Sequence, residues 1–407
     1  MSLRAATRDL FTLRKAPPQW PLGLQAAIAI MLPPFVFTLA GQATLGLTAS
    51  LGSFIVLHLP DRSRRERALE LPVIMVGFLL AAGAGILTST SLLGNLAAML
   101  VVAVLSSFLG LGLGVGSPGS MFYVLITGAI GALVAPVSAQ GAGVDPWLAL
   151  MMLTIGMVTG YLVVLAPLLL PGGRRRDAVR YRARKPWRFA YTADVQRIFT
   201  RLTIATVLGV AAGGALGLHR VHWVLLAIIA ILQKDSEVRL SVLRGLHRVL
   251  GTAVALLLFY LIALWNPTGI PLVLLIGVLM YLFEILVPRN LGLSLVAITP
   301  MALVIAAAGA DEPLMDIVGV RVEDTATGAG IAFLVLIGVT LQRRFAAAAR
   351  LRRRRAAVAP AAAVGAPAAA APAAPAPPAA PAIPARTPAA ASPPGERAGG
   401  GRSRDRP

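Results

Sequence analysis

Arg244, His247 and Arg248 stand three, one and four residues apart, so on a helix they share one face. Two guanidiniums and an imidazole on such a face attract anions where it lines an aqueous space, and meet lipid phosphate where it lies at a membrane surface. Gly251 and Thr252, one turn further on, permit close helix approach there and argue that the face is buried. Carboxylates stand nearby. Asp235 and Glu237 lie in the turn before the basic helix, where they can cap it or pair with its bases. Glu284 sits in the apolar stretch "LMYLFEILVP", and a bare carboxylate at bilayer depth is costly. It must carry a proton on a transport route or pair with a base such as Arg289. Asp324, with Arg321 and Glu323, makes a charged start to the last apolar block, with Asp324 or Thr325 as the helix cap. Asp235, Glu284 and Asp324 are therefore the proton or ion-pair candidates.

Other chemistry finds little support. The chain lacks a phosphate-binding "GxxxxGK[ST]" loop, a "GxGxxG" after a strand, an "HExxH" and a nucleophile elbow in a strand-to-helix setting, which excludes a one-chain ATP-driven pump and argues against an enzyme. There is no cysteine. Of His58, His219, His222 and His247 only His219 and His222 are neighbours, and with few acids nearby they read as polar interface residues beside Trp223. We expect no metal, no cofactor and no catalytic residue.

The elements that must position these groups are apolar. Hydrophobic residues make up 57% of the 407, charged residues 13%, and the mean hydropathy is +0.78. Blocks of roughly 20 apolar residues, each able to cross a bilayer, alternate with short polar turns. The net charge of +20 collects in those turns and in the C-terminal tail, and only 6% of residues are aromatic, which points to the positive-inside rule and away from nucleic acid.

The pattern predicts an all-α polytopic membrane protein with about 12 transmembrane helices as two parallel six-helix repeats. Residues 1–21 are a basic cytoplasmic arm with no cleavable signal. Residues 22–170 form a degenerate first repeat, with spans near 22–40, 43–60, 68–88, 92–112, 119–137 and 147–170. A basic cytoplasmic linker, 171–198, separates it from a second repeat at 199–345, with spans near 199–218, 221–234, 246–264, 269–287, 291–308 and 325–342. The span at 221–234 is short for a crossing unless it lies in a protein-lined cavity. A shift of 174 residues places Asp61 on Asp235 and Gly77 on Gly251, which supports duplication; an even number of spans makes the repeats parallel. Residues 346–407, Ala/Pro-rich behind an arginine run, read as a disordered tail. Alternation places both termini in the cytoplasm.

From Arg201 to Arg344 the sequence resembles the fusaric acid resistance protein-like family, which includes bacterial aromatic carboxylic acid exporters. The likeness rests on Trp223 opening the second span, on the R-x-x-x-R-x-x-G-T helix of Arg244, Arg248, Gly251 and Thr252, on Asn290 after the fifth cytoplasmic turn, and on Arg321 and Asp324 at the entry to the last span. It is much fainter over residues 20 to 170. The resemblance implies export of small organic, typically aromatic, carboxylate anions across the bacterial inner membrane, driven by the proton gradient. It adds Trp223 and Asn290 to Arg244, His247 and Arg248 as substrate-path residues. The implied partners are the lipid bilayer and a small organic anion; a homo-oligomer or a periplasmic efflux partner stays open. A channel-like anion conductor and a non-transporting assembly protein are the alternatives.

Overall fold

The computed structural model describes residues 12–17, 19–139, 141–181, 187–218, 220–310 and 316–364, and every regular element among them is a helix. The first set is α1 (Trp20–Leu39), α2 (Ala43–Ser53, continued by a 3-10 turn to Leu57), α3 (Arg64–Leu87), α4 (Leu92–Gly112), α5 (Met121–Val134) and α6 (Pro146–Leu165). A short amphipathic helix, α7 (Pro171–Tyr181), follows. The second set is α8 (Ala193–Ala215), α9 (Val221–Leu232), α10 (Val238–Trp265), α11 (Gly269–Leu286), α12 (Leu291–Ala310) and α13 (Asp316–Val364). The bundle lies within Met1–Ala347, and Ala348–Pro407 is a separate unit.

Among the described residues eight helices are long and apolar enough to cross a membrane, and four shorter apolar ones, α2, α5, α9 and α12, accompany them. Large apolar side chains such as Leu80, Leu93, Leu257 and Leu334 point outward, more than half exposed, as lipid-facing residues do. The turn before α3 is fixed by its own sequence. The Ser63 hydroxyl accepts from the Glu66 amide and the Glu66 carboxylate accepts from the Ser63 amide, a capping box that starts the helix at Arg64 and not near 68. Asp177 of α7 accepts from the Arg64 and Arg65 amides, so the linker helix docks on the α3 N-terminus.

The two sets correspond in position. α3 starts at Arg64 and α10 at Val238, 174 residues on, and the other five pairs start within four residues of the same offset. Packing between the sets is reciprocal: α1 lies on α11 as α8 lies on α4, and α2 lies on α12 as α9 lies on α5. Within the sets, α3 packs on α5 and α10 on α12.

Three further boundaries differ from expectation. α10 begins eight residues before 246, so Arg244, His247 and Arg248 are within a long helix. α13 begins at Asp316, so Asp324 lies inside it and is no N-cap, because the helix already has a turn of backbone ahead of that residue. α13 also runs to Val364, past the expected boundary at 345; residues 365–407 of the tail lie outside the described residues.

Small residues set the closest helix approach. A Cβ on Gly156 of α6 would sit 1.7 Å from the Ala49 carbonyl oxygen of α2, and one on Gly52 would sit 2.0 Å from that of Leu153. The Ser53 hydroxyl donates across the same contact to the Gly156 carbonyl at 3.2 Å. Gly156→Val must push the two backbones apart, at a cost of about 3 kcal/mol. Thermal unfolding of the detergent-solubilised protein should show a lowered midpoint for Gly156→Val, whereas Gly83→Ala, which meets nothing within 4 Å, should leave it unchanged.

Candidate functional site

α9 has twelve residues, which span about 18 Å, well short of the ~30 Å hydrocarbon core. Its terminal carbonyls therefore end inside the bundle, where orphan backbone acceptors are expensive. Arginines satisfy them. Arg201 of α8 donates to the carbonyls of Leu232 (2.7 Å) and Ser236 (3.4 Å), and Arg244 of α10 donates to that of Ile231 (3.2 Å). In the first set Arg67 of α3 donates to the Val56 carbonyl (2.6 Å) at the end of the 3-10 turn after α2. Cations at the negative end of a helix are also favoured by its dipole.

These ends open on a cavity of about 1620 Å³. Its lining follows α9 from Arg220, His222 and Trp223 to Gln233, and follows α12 from Leu291 to Ala306, so it runs the length of both helices. One end carries Arg14, Arg62, Arg64, Lys234 and Arg289; the middle is apolar, with Phe122, Leu125, Leu226 and Ile298. Among the described residues ten arginines and lysines line it against three carboxylates, Asp61, Asp235 and Glu284. Lys234, in the turn after α9, shows the resulting electrostatics. Burial and the Arg244 and Arg14 guanidiniums push its ammonium below the usual lysine range, with Asp61 acting the other way.

Deeper in, Arg248 and Arg321 are 7% and 4% exposed and both line the cavity. Nε of Arg248, and Nε and Nη1 of Arg321, have no hydrogen-bond partner, and the two like charges act on one another. The Arg321 guanidinium lies 4.0 Å over the Trp223 ring, and His222 packs 5.3 Å from that ring. Two buried cations thus face the cavity, Arg321 with the Trp223 ring beneath it and Asp324 close by, and beside them the wall is apolar.

The cavity brings together all five substrate-path candidates, Arg244, His247, Arg248, Trp223 and Asn290. They are not equivalent. Arg244 is ion-paired with Asp235, which accounts for that carboxylate, whereas Arg248 is not paired. The Asn290 side-chain oxygen accepts from the Leu293 amide (3.1 Å), so this residue caps α12 as well as lining the cavity. Glu284 also lines the cavity, and its expected pair is absent: Arg289 turns back to the Ile285 carbonyl at 2.5 Å. Asp324 is fully buried behind Arg321 with neither oxygen hydrogen-bonded. His219 lies outside the described residues, and no cluster of metal-binding side chains occurs among them. Arg201 and Arg67 were not singled out from the sequence. The signal was there, since each is an arginine beside a helix too short to cross, but it needs the partner helix to be read.

Residues 204–335 match the sequence profile of the fusaric acid resistance protein-like family. A protein of Bacillus subtilis (strain 168) described as "Uncharacterized membrane protein YvaC" is 32% identical over 118 residues, which is 29% of this chain and 19% of that protein. The match thus spans about a fifth of the relative's length. No solved structure matches the chain. The matched segment covers α9 to α12 with most of α8 and the start of α13, and therefore contains Trp223, Arg248, Arg321 and Asp324. Over residues 204–335, about a third of its length, this membrane protein is similar to the fusaric acid resistance protein-like family.

Proposed function

We propose that the chain is an inner-membrane secondary transporter that moves small organic carboxylate anions, aromatic ones included, through the cavity between its two helix sets. The observation that carries this reading is the pair of buried, incompletely bonded guanidiniums, Arg248 and Arg321, facing a cavity with ten basic against three acidic side chains. Anions gather at the end lined by Arg14, Lys234 and Arg289. They pass Arg244 and His247, and the carboxylate is then held by Arg248 and Arg321 while an apolar body rests on Trp223 and the wall beyond. Burial makes each charge-assisted hydrogen bond to the carboxylate stronger than in water. In this reading the twelve apolar helices form two parallel six-helix repeats, α2 and α9 complete their crossings through the turns that follow them, both termini are cytoplasmic, and the direction is outward, as in the exporters the second repeat resembles.

Removing one guanidinium leaves the other, so transport should weaken without loss of the fold. Arg248→Gln and Arg321→Gln are each expected to lower uptake of labelled benzoate into proteoliposomes at least about tenfold, the loss of one charge-assisted bond of ~1.5–3 kcal/mol. Membrane abundance should stay at the parent level. Unchanged flux at normal abundance in both variants would remove these residues from the route.

A channel-like anion conductor is the second reading, favoured by a lining that follows α9 and α12 from end to end. The two differ in coupling. Planar-bilayer recordings should show no single-channel steps for a carrier, and a benzoate flux that responds to an imposed pH gradient; discrete steps indifferent to pH would favour the conductor.

A further inference from the structure

Asp324 is 0% exposed, and neither carboxylate oxygen has a hydrogen-bond partner. An ionised carboxylate in that position lacks both water and donors, a costly arrangement in a membrane interior. One helical turn back on the same face of α13 stands Arg321, close enough for its charge to act on Asp324. That guanidinium is not bonded to Asp324; it lies on the Trp223 ring and faces the cavity, with two of its own nitrogens unpartnered. Arg321 therefore stands between a cavity in front and a carboxylate behind.

The remaining charged and titratable groups around this pair, among the described residues, are Glu323 on α13, Arg220 just ahead of α9, His222 on α9 and, acting through Arg321, Arg248 on α10. The cavity is the open side. With the cavity empty, an ionised Asp324 balances Arg321. An anion brought onto Arg321 adds a second negative charge beside that carboxylate, and like charges at close range favour protonation of one of them.

We propose that Asp324 is a proton site linked to anion binding at Arg321, so that one proton and one anion load together. The inference rests on the anion-transport reading above. The step is a simple protonation: a carboxylate oxygen of Asp324 forms an O–H bond with a proton from solvent as the anion enters, nothing is oxidised or reduced, and the proton leaves when the anion does. By reciprocity, a proton on Asp324 strengthens anion binding by the same factor that the anion strengthens proton binding. The loaded site then gains no net charge. Such coupling suits movement of anion and proton in the same direction, so outward transport through this site would run down the anion gradient and would not be driven by an inward proton gradient.

Binding to the purified full-length chain in detergent tests this, with benzenesulfonate as the probe because its charge is constant from pH 5.5 to 8. Affinity should rise as pH falls, by up to about tenfold per pH unit for one linked proton. An indicator dye in weak buffer should report uptake of up to one proton per bound anion. Asp324→Asn should bind without pH dependence and without proton uptake, while His222→Gln should keep both. Should Asp324→Asn fail to fold, Asp324→Glu is expected to retain uptake with a displaced midpoint. Binding that needs Arg321 yet shows no pH dependence or proton uptake would overturn the linkage and leave the anion site standing. Full pH dependence in Asp324→Asn, its loss in His222→Gln, or an unmoved midpoint in Asp324→Glu would overturn the assignment to Asp324. No benzenesulfonate binding at all would overturn the anion site, and this proposal with it.

Discussion

The hydrogen bonds from buried guanidiniums to the ends of short helices are the interaction on which the interior depends. α2 and α9 stop before they can cross, and a helix that stops at bilayer depth leaves carbonyls with no water to meet. Arg67, Arg201 and Arg244 supply the donors from neighbouring helices. That solution brings positive charge into the bundle. Arg244 is ion-paired with Asp235, whereas Arg67, Arg201, Arg248 and Arg321 each keep at least one buried nitrogen without a hydrogen-bond partner. Closing the backbone of a broken helix and giving the interior a positive potential thus have one cause.

Much of the architecture was legible because period and punctuation agree. Apolar blocks separated by charged turns placed all twelve helices to within a few residues in most cases, and the offset of 174 seen in Asp61/Asp235 and Gly77/Gly251 recurs in the helix starts. Errors fell where polar residues lie inside helices. Arg64, Arg65 and Arg67 looked like a turn yet form the first turn of α3, since Ser63 and Glu66 close a capping box ahead of them. Asp324 looked like a cap because a charge triplet stands before an apolar run, but α13 starts a full two turns earlier.

The site was legible in its residue types and not in its pairing. Spacing put Arg244, His247 and Arg248 on one face, and all three line the cavity. Which of them is neutralised depends on the turn after α9, where Asp235 takes Arg244, and no local pattern separates that outcome from pairing with Arg248. The stacking of Arg321 on Trp223 joins residues about a hundred positions apart in the chain. A single sequence marks each as unusual in a greasy segment without saying that they touch.

Reciprocal packing has a consequence for biogenesis. The partner of α1 is α11, which follows it by roughly 250 residues, while α4 must wait for α8 and α2 for α12. During synthesis the first six helices thus enter the bilayer with one flank uncovered. Until the second set arrives, that flank must be sheltered by lipid, by an insertion factor or by another nascent chain. Assembly of this bundle is therefore a late event in translation, and a chain truncated within the second set would be recognised as incomplete by the surfaces it leaves open.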